Sequence, residues 1–143
     1  MSTVILWLDS NANSTTSFRD KLLQYRSVQI FTEPNECIDY IKTHLMQCLF
    51  LVASGSLAEN VVPQVNECAN IKQILVFCAS MASHTHWAAD YIDKLLMFDH
   101  QDDLLGRLWI EMEQHFREQA QECNQQAEES KERAKEYKQP SCG

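Results

Sequence analysis

Val4-Ile5-Leu6-Trp7-Leu8-Asp9-Ser10-Asn11 is an apolar run that ends abruptly on a carboxylate and a polar turn. A run apolar on both faces belongs to a strand covered on both sides, the environment of an open parallel α/β sheet. In such a sheet the carboxyl ends of the strands form the edge where ligands bind. The run therefore sets Asp9 where an acid can hold a metal ion or a ribose. It also makes the residues at every other strand end informative.

Further apolar runs recur at Val28–Phe31, Cys48–Ala53, Gln73–Cys78 and Leu95–Phe98. Leu49-Phe50-Leu51-Val52 and Ile74-Leu75-Val76-Phe77 are apolar on both faces, as buried parallel strands are. Val28-Gln29-Ile30-Phe31 is short and interrupted by Gln29, which predicts a position near an edge. The segments between them are amphipathic. Ser14 to Arg26 carries Phe18, Leu22, Leu23 and Tyr25 at helical spacing. Thr32 is placed to cap a helix with Pro34 in its first turn. Ser56 and Glu59 have capping-box spacing for a helix running through Cys68, with Pro63 expected to kink it or delay its start. Ser83 is placed to cap a short helix bearing Trp87, Ala88 and Tyr91. Strands alternating with helices over short joints predict a doubly wound, flavodoxin-like parallel sheet of about five strands.

From Asp102 the chain reads as one long helix, with Leu104, Leu105, Leu108, Trp109 and Met112 as its sheet-packing face. Beyond Phe116 large apolar residues nearly vanish, so the organisation expected is an α/β domain over 1–116 and a polar helical extension or linker over 117–143. Trp109, Phe116, Cys123, Ser130 and Tyr137 recur by seven with Ala120, Ala127 and Ala134 between them. That is a heptad seam in position, though Ala, Cys and Ser bury little, and it leaves a weak homodimer open beside a solvated connector. The ending Lys138-Gln139-Pro140-Ser141-Cys142-Gly143 closes no further element and is expected to be a fragment end.

The formal charge of −8 argues against nucleic acid and against an anionic membrane surface, both of which call for clustered Lys and Arg. No apolar segment approaches the roughly 18–20 residues of a membrane span. The six cysteines contain no C-x-x-C pair. They read as reduced thiols of a cytoplasmic protein and not as a disulfide or zinc framework. His84-Thr85-His86 near His100 lacks an acidic ligand set and reads as a solvated polar loop, so no metal and no cofactor is expected. Ser10 to Ser17 has hydroxyls for an anion but no Gly for close backbone approach. Asp99-His100-Gln101-Asp102-Asp103 reads as acids at a helix start.

Strand-end Asp9, the strand pattern and the size resemble the receiver domain of phosphorelay proteins. That family implies an acidic pair after the first strand, a phosphoacceptor Asp after the third, Ser or Thr after the fourth and Lys after the fifth. Here Asp9 is followed by Ser10 and Asn11, the third strand ends Val52-Ala53-Ser54-Gly55, the fourth ends Cys78-Ala79-Ser80, and the fifth runs into Asp99. Only the Ser80 hydroxyl matches beyond Asp9, so the likeness is to a pseudo-receiver without aspartyl phosphorylation. The chain also resembles the TIR domain. Leu49–Ser54 followed by Glu59 and Glu67 imitates the segment whose glutamate cleaves NAD in catalytic members, without the Trp-Cys that accompanies it.

Over residues 4–112 the chain resembles the amino-terminal module of large bdelloid rotifer proteins, where such a domain precedes tetratricopeptide repeats or an arginine ADP-ribosyltransferase domain. The matching residues include Ile5-Leu6-Trp7-Leu8-Asp9, Cys37-Ile38-Asp39-Tyr40-Ile41, Leu51-Val52-Ala53-Ser54-Gly55, Val62-Pro63, Trp87 and Asp102-Asp103-Leu104. The transferase signature itself is missing, because Glu111-Met112-Glu113 lies inside a helical pattern and Ser14-Thr15-Thr16-Ser17 begins one. These likenesses imply a non-enzymatic regulatory or protein-interaction module whose partner is another protein or a following domain. The expected ligand edge is Asp9, Ser10, Asn11, Ser54, Ser80 and Asp99, with Asp9 itself a helix-capping or loop-organising acid. The enzymatic alternative is a TIR-like NAD hydrolase using Glu59 or Glu67.

Overall fold

The structure is a computed structural model that describes residues 2–12 and 16–137. The chain divides into two compact units, Met1–Gly106 and Arg107–Gly143. The first holds a five-stranded sheet built from β1 (Thr3–Leu8), β2 (Val28–Phe31), β3 (Cys48–Ser54), β4 (Ile71–Phe77) and β5 (Leu95–Phe98). All four pairings are parallel and the strand order is β2-β1-β3-β4-β5. This is the flavodoxin-like α/β fold, with its topological switch point between β1 and β3.

Strand register explains why the central runs are apolar throughout. Leu6 lies beside Leu51, and Leu51 beside Ile74, on one face of the sheet. That face is covered by α2 (Pro34–Thr43) through Cys37, Ile38 and Ile41, and by α3 (Gly55–Val65) through Ala58, Val61 and Val65. Trp7 lies beside Val52 on the opposite face, where α1 (Ser17–Leu22) sets Phe18 edge-on to the indole at 5.5 Å. Each fully buried Leu or Ile contributes about 1.5–3 kcal/mol against leaving it in water, so the central strands dominate stability. The edge position expected for Val28–Phe31 is observed.

Helix starts differ from the sequence reading in informative ways. The capping box at Ser56 and Glu59 does not form: β3 runs to Ser54, which is the N-cap, and α3 begins at Gly55. Ser56 thus falls inside the first turn, and Glu59 faces His86 at 3.5 Å. Pro63 sits within the helix and α3 ends at Val65, short of Cys68. Glu33, not Thr32, precedes Pro34 as the N-cap of α2. Thr16 caps α1, its hydroxyl accepting from the Arg19 amide at 3.0 Å. The expected start at Ser14 lies outside the described residues. That helix also ends early, because the chain turns after Leu23 to bring the Tyr25 hydroxyl to the Thr3 carbonyl at 2.9 Å. Ser83 closes a single 3₁₀ turn, and α4 (Thr85–Ala88) has His84 at its N-cap.

At the opposite edge of the sheet Asn70 ties α2 to β4. Its side-chain amide donates to the carbonyls of Ile41 at 2.8 Å and His44 at 3.1 Å. Its Oδ1 is buried without a hydrogen-bond partner.

α5 (Gln101–Glu136) starts within the first unit, where Leu104 and Leu105 are buried. The second unit is helical through Glu136, and every residue from Ala120 to Tyr137 is exposed. Along it Arg107 pairs with Glu111 at 2.7 Å and Arg117 with Glu113 at 2.9 Å. Such pairs add a few tenths of a kcal/mol each. Among the described residues no helix is long and apolar enough to cross a membrane.

Candidate functional site

The switch point opens the crevice that parallel sheets offer to ligands, and β1 and β3 deliver their last residues into it. Asp9 continues the β1 ladder by donating its amide to the Phe31 carbonyl at 3.0 Å. Its side chain then folds the next residues: Oδ1 accepts the Asn11 amide at 2.9 Å, while its carbonyl accepts the Ala12 amide at 3.0 Å. This is an Asx turn, the arrangement for which a short acidic side chain is suited. The Arg19 guanidinium fastens the turn from below through the Ala12 carbonyl. Asp9 is therefore the loop-organising acid of the β1–α1 connection, and helix capping falls to Thr16. Among the described residues Asp9 Oδ2 has no hydrogen-bond partner.

The crevice has two halves that share Asp9, Asn11, Ser54 and Phe77. One half, about 200 Å³, has apolar walls of Trp7, Phe18, Val52 and Phe77, with Asn11, Thr16 and Gln101 at its rim. The other, about 340 Å³, is bordered by Ser10, Ser56, Cys78 and His84 as well as the shared residues. No Lys or Arg lines either half among the described residues.

His84 is the residue that sequence reasoning missed. It is not a solvated loop residue: the Trp87 indole Nε1–H donates to its Nδ1 at 3.0 Å. An indole only donates, so Nδ1 is the acceptor and the ring proton sits on Nε2. That nitrogen faces the start of α3, where a Cβ on Gly55 would lie 2.8 Å away and also 2.9 Å from Cys78 Cβ. Gly55 is thus required by close approach. The available signal was a His and a Trp spaced i, i+3, one helical turn apart.

Of the edge residues expected from sequence, Asp9, Ser10, Asn11 and Ser54 converge here. Ser80 does not line the crevice, and its hydroxyl accepts that of Ser83 at 3.1 Å across the 3₁₀ turn. Asp99 opens onto a neighbouring hollow beyond Phe77, shared with Ser17, Lys21 and Asp102. Glu59 and Glu67 line neither half. Glu67 lies beyond the far end of α3, toward the opposite edge of the sheet.

The local electrostatics disfavour a nucleophile. Cys78 is 5% exposed, and burial, reinforced by the Asp99 carboxylate, pushes its thiol above the ordinary range. It remains a thiol at neutral pH. Among the described residues no group of three or more His, Cys, Asp or Glu is placed to hold a metal ion. What the arrangement offers is an apolar slot bordered by aromatic side chains, with the Asp9 carboxylate at the strand edge and His84 beside the polar half. Comparison of the chain with protein-family models, with curated proteins and with solved structures found no match.

Proposed function

We propose that this chain is a non-enzymatic regulatory module of a larger protein, receiver-like in architecture. Its ligand edge would bias another protein or a following domain of the same chain. The observation that carries the reading is the β3 end, where Ser54 passes directly into α3. A receiver-like phosphoryl transfer needs a carboxylate there and a cation after β5, and this chain has Ser54 and Asp99. The likeness to the bdelloid rotifer modules supports the same reading. A cytoplasmic setting goes with it, since the described cysteines are all free thiols.

Two incubations of the full chain test this. With acetyl phosphate and magnesium, intact mass should show no phosphoryl adduct. With NAD, chromatography should show no nicotinamide. An adduct lost in Asp9→Ala, or turnover lost in Glu67→Ala, would replace the regulatory reading with an enzymatic one.

The surface of α5 favours a second reading, a weak homodimer. Phe116, Ala120, Cys123, Ala127, Ser130, Ala134 and Tyr137 follow 4-3 spacing, and all of them are exposed. Light scattering of the full chain against a version cut after Phe116 decides it. Equal monomeric masses leave the helix as a connector.

A further inference from the structure

We propose that the switch-point crevice is a binding site for an uncharged ribonucleoside, its base in the aromatic half and its vicinal diol on Asp9. The inference deepens the regulatory reading by naming the class of ligand that the module would sense.

Three observations lead to it. The apolar half is lined by Trp7 and Phe18, which meet edge-on at 5.5 Å, and by Val52 and Phe77. A planar heteroaromatic ring fits such walls and stacks on them whatever its substitution. Asn11 and Gln101 at the rim each carry both a donor and an acceptor, the pairing that a nucleobase edge presents. At the junction of the halves, Asp9 Oδ1 is committed to the Asn11 amide while Oδ2 has no hydrogen-bond partner among the described residues. A carboxylate oxygen beside an aromatic slot is complementary to sugar hydroxyls, which donate to it.

Charge selects the nucleoside over its phosphate. Neither half carries Lys or Arg among the described residues, and Asp9 occupies both. A phosphate would therefore meet a carboxylate without a compensating side-chain cation. The nucleobase alone would forgo the diol contact.

Titration calorimetry and ligand-observed NMR on the full chain test the site, with adenosine as the probe. Adenosine should bind about tenfold more tightly than 2′,3′-dideoxyadenosine, than adenine and than adenosine 5′-monophosphate. Asp9→Asn separates recognition from folding, because an Asn Oδ1 still accepts the Asn11 amide and keeps the Asx turn. It should leave the unfolding midpoint nearly unchanged while abolishing the preference for the diol. No adenosine binding at millimolar concentration, equal or tighter binding of the monophosphate, or an unchanged diol preference in Asp9→Asn would each overturn the proposal. Those failures are distinct from failure of the regulatory reading, which the phosphoryl and nicotinamide assays decide.

Discussion

Trp87 and His84 act as one unit: the indole Nε1–H holds the imidazole Nδ1 at 3.0 Å, and the imidazole proton is thereby kept on Nε2, against the start of α3. The pair converts a histidine near the surface into an oriented donor. It also explains why a helix as short as α4 stands beside the crevice, since Trp87 and Ala88 are buried there and anchor it.

Trp87→Phe keeps an aromatic ring and removes the donor. Long-range ¹H–¹⁵N spectra should show His84 as a single Nε2–H tautomer in the parent above neutral pH and as a mixture in the variant. Stability should fall by about 1–2 kcal/mol in urea, from the lost hydrogen bond and the smaller ring. Identical ¹⁵N shifts in both proteins would rule out the bond.

Gly55→Ala and Gly106→Ala should move stability in opposite directions. Gly106 lies inside α5, where alanine gains about 1 kcal/mol over glycine, whereas Gly55 is the first residue of α3. A Cβ at Gly106 meets nothing within 4 Å, so the gain should appear nearly whole. At Gly55 it meets His84 Nε2 and the less yielding Cys78 Cβ, a clash worth about 1–3 kcal/mol. Net destabilisation is expected there, partly relieved in Gly55→Ala/His84→Ala. Urea midpoints check all three variants.

Asn70→Asp should be among the most damaging single-atom changes available. The two carbonyls that now accept from the Asn70 amide would face a buried carboxylate instead. At pH 7.5 the loss should be about 3 kcal/mol or more, exceeding that of Asn70→Ala. It should shrink as the pH is lowered and the new carboxyl gains a proton to donate. Thermal melts at pH 7.5 and pH 5 give the comparison, and a loss independent of pH would contradict the assigned contacts.

Burial pushes the Cys37 thiol up to about 12. Burial likewise raises Cys48, against a smaller opposing effect of Lys72. Unfolding lets these thiols ionise near their ordinary value, so the unfolded chain loses protons first. Stability should therefore hold below about pH 9 and decline as pH rises toward about 12. The slope is up to about 1.4 kcal/mol per pH unit for each such thiol. Urea midpoints at pH 7 and pH 10.5 measure it, and Cys37→Ala should flatten the decline. In the native chain at pH 8, alkylation should reach exposed Cys123 long before Cys37.

The strands were legible because their burial is intrinsic to composition. Val28–Phe31 and Leu95–Phe98 coincide with β2 and β5, and the runs Cys48–Ala53 and Gln73–Cys78 marked β3 and β4 within two residues at either end. Asp9, Ser10, Asn11 and Ser54 followed from strand order alone, since the carboxyl ends of β1 and β3 must adjoin at the switch point. Helix starts were less legible. Ser56 and Glu59 carry a local capping signal, yet α3 begins at Gly55 because β3 runs on to Ser54, which takes the N-cap position. Ser80 and Asp99 are strand-end residues too, but a 3₁₀ turn and the wall of Phe77 separate them from the crevice. His84 was hidden for the converse reason: its partner lies within its own turn, and its target lies across the sheet edge.

Strand β3 becomes helix α3 with no residue between Ser54 and Gly55. Folds of this kind acquire new specificities by lengthening and varying the loops at the ligand edge. A junction of zero length has nothing to lengthen, and Gly55 cannot be enlarged without displacing its neighbours. Diversification among descendants of this chain is thereby channelled to the two outer flanks. Sequence variation at this edge should accumulate at Ser10 and Asn11 and over residues 79–83, around an unchanging glycine.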